Sequence, residues 1–287
     1  MSYRHNFQGQ SFQGQNLTGA DFSNTDIRGT DFSRTILRGA NFSGAHAGLT
    51  PRWEIFWLVA AILLSLVSGM ICGFAGSAIQ VMLTSGDRLY FIAGIVSLVV
   101  VGLFFLLAIA VRLLAAIAFI ALVVFIAFIV AMILILLGLG SGIAGIVVTA
   151  VVTIVGVITL AGVIARSVAG SRGSYLTFAA AVVGGIIAGQ NLGSAIGVIL
   201  VVLLSAYMTQ SSFKGNKRYE LIYNTAIALT TLKGTSFQDA NLTQANFSYA
   251  IVKNSDFRQA ILRKTHWKNA KHLRRARFTG ETPLSNS

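Results

Sequence analysis

Four histidines, one cysteine, nine carboxylates and one Gln-Asn pair within an apolar stretch are what this 287-residue chain offers for acid–base, nucleophilic, metal or pore chemistry. His5, His46, His266 and His272 have no ligand-like spacing, and neither H-E-x-x-H, C-x-x-C nor G-x-x-x-x-G-K-[ST] occurs. Cys72 stands alone, so it forms no disulfide framework and no thiolate metal site. These residues imply no catalytic group, no metal and no cofactor, and the chain is read as a non-enzyme.

Two other clusters suit binding or conduction. In GQNLGS the amides of Gln190 and Asn191, flanked by Gly189 and Gly193, could line a re-entrant constriction together with freed backbone carbonyls, although a plain turn is the simpler reading. Near the end, Arg263, Lys264, Lys268, Lys271, Arg274, Arg275 and Arg277 carry seven positive charges with no acid among them. That cluster fits anionic lipid headgroups and the retention of basic segments on the inner side of a membrane. Trp267 lies among these charges, yet nucleic acid is not the expected partner.

The elements that must position these residues follow from hydropathy. Hydrophobic residues make up 55% of the chain and charged ones 11%, and the apolar residues come in long runs. Membrane crossings are expected at about 55–83, 89–111, 113–137 and 143–165, followed by a short or re-entrant pair at 175–189 and 195–208. A single helix over 175–208 would place Gln190 and Asn191 near its middle, whereas a spacing-of-four stripe of Gly185, Gly189, Gly193 and Gly197 would suit one continuous helix. About 50 polar residues precede the first run, which is expected to insert as an internal anchor.

Charge is uneven along the chain. Residues 213–287 hold thirteen basic and four acidic groups, and so account for nine of the thirteen excess charges. With the start inside, Arg112, Arg166, Arg172 and the basic C-terminal part also fall inside, which places both termini in the cytoplasm.

On either side of the apolar stretch a period of five is sustained. Phe7, Phe12, Leu17, Phe22, Ile27, Phe32, Leu37 and Phe42 form one series, and Leu232, Phe237, Leu242, Phe247, Val252, Phe257, Leu262 and Trp267 form the other. A small residue stands two before most of them, as at Thr25, Ala40, Ala240 and Ala245. In extended backbone both point inward, while the position between them is usually Asp or Asn and points out. The expected core is Phe22, Phe32, Leu37, Phe42, Phe237, Leu242, Phe247 and Phe257. Ile36, Ile251 and Ile261 break the outward rule and are candidates for a partner-binding face. After Ala270 the phase slips by one residue, which marks a terminal bulge.

This pattern resembles the pentapeptide-repeat family, with its consensus A-(D/N)-L-x-x. The resemblance implies a right-handed quadrilateral β-helix with four repeats per coil. AGLTPRWEIFWL from Ala47 and KGTSFQDANL from Lys233 look like the junctions of multi-pass pentapeptide-repeat proteins common in cyanobacteria. Each half supplies about two coils, too few to bury a core alone, so the halves are expected to join into one split β-helix.

The expected organisation is a half-solenoid over 1–50, a bundle of about six membrane segments over 53–209, a juxtamembrane helix over 213–231, the second half-solenoid over 232–278 and a tail over 279–287. The expected role is a membrane scaffold, in a plasma or thylakoid-type membrane, that binds a protein partner or its own copies. An oligomeric channel or passive conduit gated by the solenoid is the alternative.

Overall fold

The computed structural model describes residues 5–110 and 157–279. The expected crossing at 113–137, most of that at 143–165, and Arg112 lie outside the described residues. The chain divides into a repeat unit (1–58, 167–169 and 224–287) and a helical unit (59–166 and 170–223).

In the repeat unit every fifth residue opens a short bridge to the coil above or below, and the bridges recur every twenty residues, so each coil has four sides. The first side stacks Asn6, Asp26, His46, Ile251 and Lys271; the second, Ser11, Asp31, Ser236 and Asp256. The third side stacks Asn16, Ile36, Asn241 and Ile261, and the fourth Asp21, Asn41, Asn246 and His266. All these pairings are parallel, and the N-terminal and C-terminal segments bond to each other directly at Asp31–Ser236, Ile36–Asn241, Asn41–Asn246 and His46–Ile251.

The outward Asp and Asn residues have a local cause. Their side-chain oxygens accept the N–H two residues on, as from Ser23 to Asp21 (2.9 Å), Ser33 to Asp31 (2.9 Å) and Ser248 to Asn246 (3.0 Å). This turn lets the chain round a corner, where the next residue takes a left-handed conformation, at Gly9 and Gly19 but also at Arg34, Gln244 and Tyr249.

Inside, two aromatic ladders run the height of the stack. Phe12, Phe32, Phe237, Phe257 and Phe278 stack on the second side with centroids 5.3, 5.2, 4.8 and 5.0 Å apart. Phe22, Phe42, Phe247 and Trp267 stack on the fourth at 5.1, 4.8 and 4.6 Å. The ladders meet edge to face, as between Phe42 and Phe237 at 5.4 Å, a favoured ring geometry. The eight expected core residues are all buried in this cluster. The phase slip sits at His272, whose φ of 64° lets Leu273 turn inward, and the strand β1 (Asp256–Phe257) then pairs with β2 (Arg277–Phe278) one residue out of step.

The helical unit carries most of α1 (Pro51–Thr84), then α2 (Arg88–Ala110), α3 (Val157–Ala169), α4 (Ser171–Ala188) and α5 (Leu192–Phe213); α6 (Glu220–Thr231) leads back to the repeats. Pro51 suits a first helical position, and Asp87 starts α2 by accepting the Leu89 N–H at 2.7 Å. Among the described residues three helices, α1, α4 and α5, are long and apolar enough to cross a membrane. Val59, Leu63, Val67 and Phe74 are exposed along α1, an apolar surface suited to lipid.

The chain does break after Ala188. Asn191 caps α5 by accepting the Ser194 N–H at 3.0 Å. Both arms are longer than the apolar run alone suggests, because the polar SRGS and TQSS segments join the helix ends: α4 has 18 residues and α5 has 22.

Candidate interaction surfaces

The insertion point is a single corner of the coil. His46 occupies the first side of the third coil and Ser236 the second side of the same coil. Between them the chain leaves at Gly48 and returns at Thr235. The Gly48 N–H donates to Thr235 Oγ1 at 2.8 Å across 187 positions of sequence, and Thr235 Oγ1 donates to the Ile27 carbonyl at 2.7 Å. The Gly48 carbonyl accepts from the N–H groups of Gly29 (2.8 Å) and Thr235 (3.1 Å). Thr235→Val keeps the shape but strands the buried Gly48 N–H and leaves the Ile27 carbonyl with the Thr30 N–H alone, so a loss of about 1–3 kcal/mol is expected in thermal or denaturant unfolding of the purified chain.

The segments that cross to the helical unit gather beside this corner. Lys253 Nζ pairs with Glu54 at 2.6 Å and donates to the Val168 carbonyl at 3.2 Å. Asn254 Nδ2 donates to Thr230 Oγ1 at 2.9 Å. The junction segments from Ala47 and Lys233 were legible in the sequence by resemblance; that Gly48 and Thr235 within them bond to each other was not.

The first side also holds titrating groups. Burial would raise the Asp26 carboxyl, but hydrogen bonds from Arg28 (2.7 Å to Oδ2) and Gln8 outweigh it and hold the group below its ordinary range. Burial lowers His46, and the charges of Arg28 and Lys253 lower it further; burial and Arg275 do the same to His272. A depressed histidine binds fewer protons folded than unfolded. Its stability contribution is therefore complete above the unfolded value of about 6.5 and is lost as pH falls through 6.5 towards the lower folded value. Acidification should lower the melting temperature across that window, and the double variant His46→Gln, His272→Gln should flatten the dependence.

The structure separates the three isoleucines. Ile36 and Ile261 share the third side, two coils apart with Asn241 between, and are 41% and 46% exposed. Ile251 lies on the first side, half-buried near the insertion corner. Arg38 and Arg263 follow the two exposed isoleucines on the third side, where the Gly39 N–H donates to the Thr243 carbonyl and the Gln244 N–H to the Arg263 carbonyl.

The seven basic residues do not form one patch. Arg263 and Lys264 are on the third side, Lys268 on the fourth, Lys271 on the first, Arg274 and Arg275 in a short helical turn, and Arg277 on the second, so they ring the final coil. Among the described residues no three His, Cys, Asp or Glu side chains gather as a metal site.

In the helical unit one amide of the break, that of Asn191, is engaged in packing. Asn191 Nδ2 donates to Ser77, and Gln80 accepts the Gly193 N–H. Gln190 is exposed. Gly69, Gly73 and Gly76 of α1 press on α4 and the start of α5: added Cβ atoms would come within 1.9 Å of the Ala181 carbonyl, 2.5 Å of Gly185 and 2.5 Å of Gly193. The glycine stripe thus permits close helix contact even though the helix carrying it is interrupted. An apolar opening of about 410 Å³, lined by Cys72, Gln80, Leu98, Gly193 and Leu200 among others, lies alongside.

Residues 6–45 and 229–263 match the family model for pentapeptide repeats, in eight copies, a repeat type that implies a β-helix. No curated protein and no solved structure matches the chain significantly.

Proposed function

We propose that the chain is an integral membrane scaffold. In this reading the repeat segments form one right-handed quadrilateral β-helix, split by a bundle of six membrane segments, and its third side docks a partner protein in the cytoplasm. The observation that carries the docking site is the pair Ile36 and Ile261. Isoleucine cannot make the side-chain turn bond that Asp and Asn make elsewhere, so the N–H groups of Arg38 and Arg263 lose that acceptor. Each isoleucine costs the fold about 0.5–1.5 kcal/mol and gives an exposed apolar contact beside an arginine, the composition of an interface core.

The topology is supported by the corner at Gly48 and Thr235. A chain that leaves and returns within one hydrogen bond must cross a membrane an even number of times, so both termini share a side. With Cys72 replaced by Ser, Ser23→Cys and Ser248→Cys should both react with an impermeant thiol reagent added to the same face; labelling from opposite faces would sink the arrangement. The seven-residue basic ring would hold the last coil near anionic headgroups in a plasma or thylakoid-type membrane.

The docking test is a photo-reactive residue at Thr243, on the third side in the coil between the two isoleucines, in native membranes, followed by identification of what is captured. Ile36→Asn with Ile261→Asn should raise the melting temperature while abolishing capture, a gain in stability bought with function. Capture unchanged by these substitutions would remove the third side from consideration. The conduit reading needs an open path along Gly189 and Gly193, and the packing of these residues against α1 favours the scaffold. Solute flux in liposomes, blocked by bulky residues at Gly189, would reverse that preference.

A further inference from the structure

Where the two linkers leave the solenoid there is a notch of about 480 Å³, lined by Asp31, Ser33, Trp53, Lys233, Ser236 and Gln238, with glycines and aliphatic groups between them. All of these residues belong to the repeat unit. The notch holds one carboxylate and one ammonium that do not pair. Among the described residues neither Asp31 nor Lys233 has an ion-pair partner within 4.0 Å, in contrast to Asp26, Glu54 and Asp256, which are all bridged. Asp31 accepts the Ser33 N–H, and Lys233 stands 5.7 Å above the centre of the Trp53 ring.

Opposite charges that share a small pocket usually meet. Kept apart, they leave room for a molecule that carries both charges in the reverse order. The volume lies in the range of small-ligand sites, and Ser33, Ser236 and Gln238 add hydrogen-bonding groups to the lining. Trp53 opens α1, whose apolar residues begin at Ile55, and Leu232 on the rim is 65% exposed. A tryptophan at the start of such a helix suits the headgroup layer.

We propose that this notch binds a zwitterion with an ammonium and a phosphate a few ångströms apart, its phosphate on Lys233 and its ammonium on Asp31. This chemistry is shared by a phosphatidylethanolamine-type lipid headgroup and a free phosphorylated amino-alcohol. The lipid source rests on reading α1 as a membrane span; the soluble source does not.

The test is native mass spectrometry of the full chain in detergent, titrated with phosphatidylethanolamine or phosphatidylglycerol, with soluble O-phosphoethanolamine as competitor. The wild type should retain phosphatidylethanolamine in preference. Lys233→Gln should weaken that retention about tenfold, the scale of one charge-assisted hydrogen bond. Asp31→Asn should invert the preference towards phosphatidylglycerol, because Lys233 alone favours an anion.

Asn already occupies the equivalent outward position at Asn41, so Asp31→Asn leaves the turn intact. Asp239→Asn, a carboxylate outside the notch, is the control and should behave as wild type. The basic ring contributes equally to all four proteins, so its lipid binding cancels in the comparison. Displacement by O-phosphoethanolamine assigns the soluble source, and retention of the diacyl form against it assigns the lipid. Equal retention of both lipids by the wild type, or an unchanged preference in Asp31→Asn, overturns the proposal.

Discussion

Gly48→Val should dismantle the joint between the two repeat segments. Gly48 has φ +121°, and a Cβ there would lie 2.1 Å from the Lys253 carbonyl oxygen, which is backbone and cannot swing aside. Strain and overpacking together should cost about 3–5 kcal/mol, a large part of a domain's usual margin. Gly9→Ala separates the two causes: Gly9 also has positive φ, +68°, but nothing lies within 4 Å of its added Cβ. It should cost about 1 kcal/mol, the conformational term alone. Unfolding followed through the fluorescence of Trp267, which ends one ring ladder, reads both. Equal effects from the two substitutions would mean that the corner is not closed as described.

Phe247→Ala should be as damaging from the interior. Phe247 is buried between Phe42 at 4.8 Å and Trp267 at 4.6 Å, with Phe237 and Phe257 edge-on. The cavity and the lost contacts should cost about 3–5 kcal/mol. Phe12, in the first coil and only partly buried, has neighbours on fewer sides, so Phe12→Ala should cost clearly less. A ranking measured by chemical denaturation in one detergent removes most systematic error. Comparable losses at Phe12 and Phe247 would indicate that the first coil is covered by something in solution.

The legible parts of this chain were those governed by local periodicity. The inward Phe and Leu positions follow from a period of five, and the outward Asp and Asn positions from a turn bond spanning two residues. The break at Asn191 could be read because a cap needs only its own four residues. The side on which an outward residue lies was not legible, because it depends on how coils stack across a long insertion. Ile251 and Ile261, two repeats apart, must lie on opposite sides of a four-sided coil, but nothing in the sequence says which of them shares a side with Ile36. The α1 glycines at 69, 73 and 76 were overlooked for a similar reason. Their meaning comes from the backbone of Ala181, Gly185 and Gly193, more than a hundred residues later. Asp31 is indistinguishable from any other repeat aspartate until the fold brings it and Lys233 to the lining of one notch.

The joint at one corner also sets a timetable for synthesis. Gly48 is made long before its partner Thr235, 187 positions further on, and at 5–20 residues per second the interval is roughly 10–40 s. Throughout it, Phe32 and Phe42 can stack on Phe12 and Phe22, but the faces destined for Phe237 and Phe247 stay uncovered. A nascent two-coil fragment must persist with an open aromatic end while the helices are threaded into lipid. Slower elongation should therefore lower the folded yield, measurable as the protease-resistant fraction of pulse-labelled chains, and a factor that shields exposed aromatic surface should restore it.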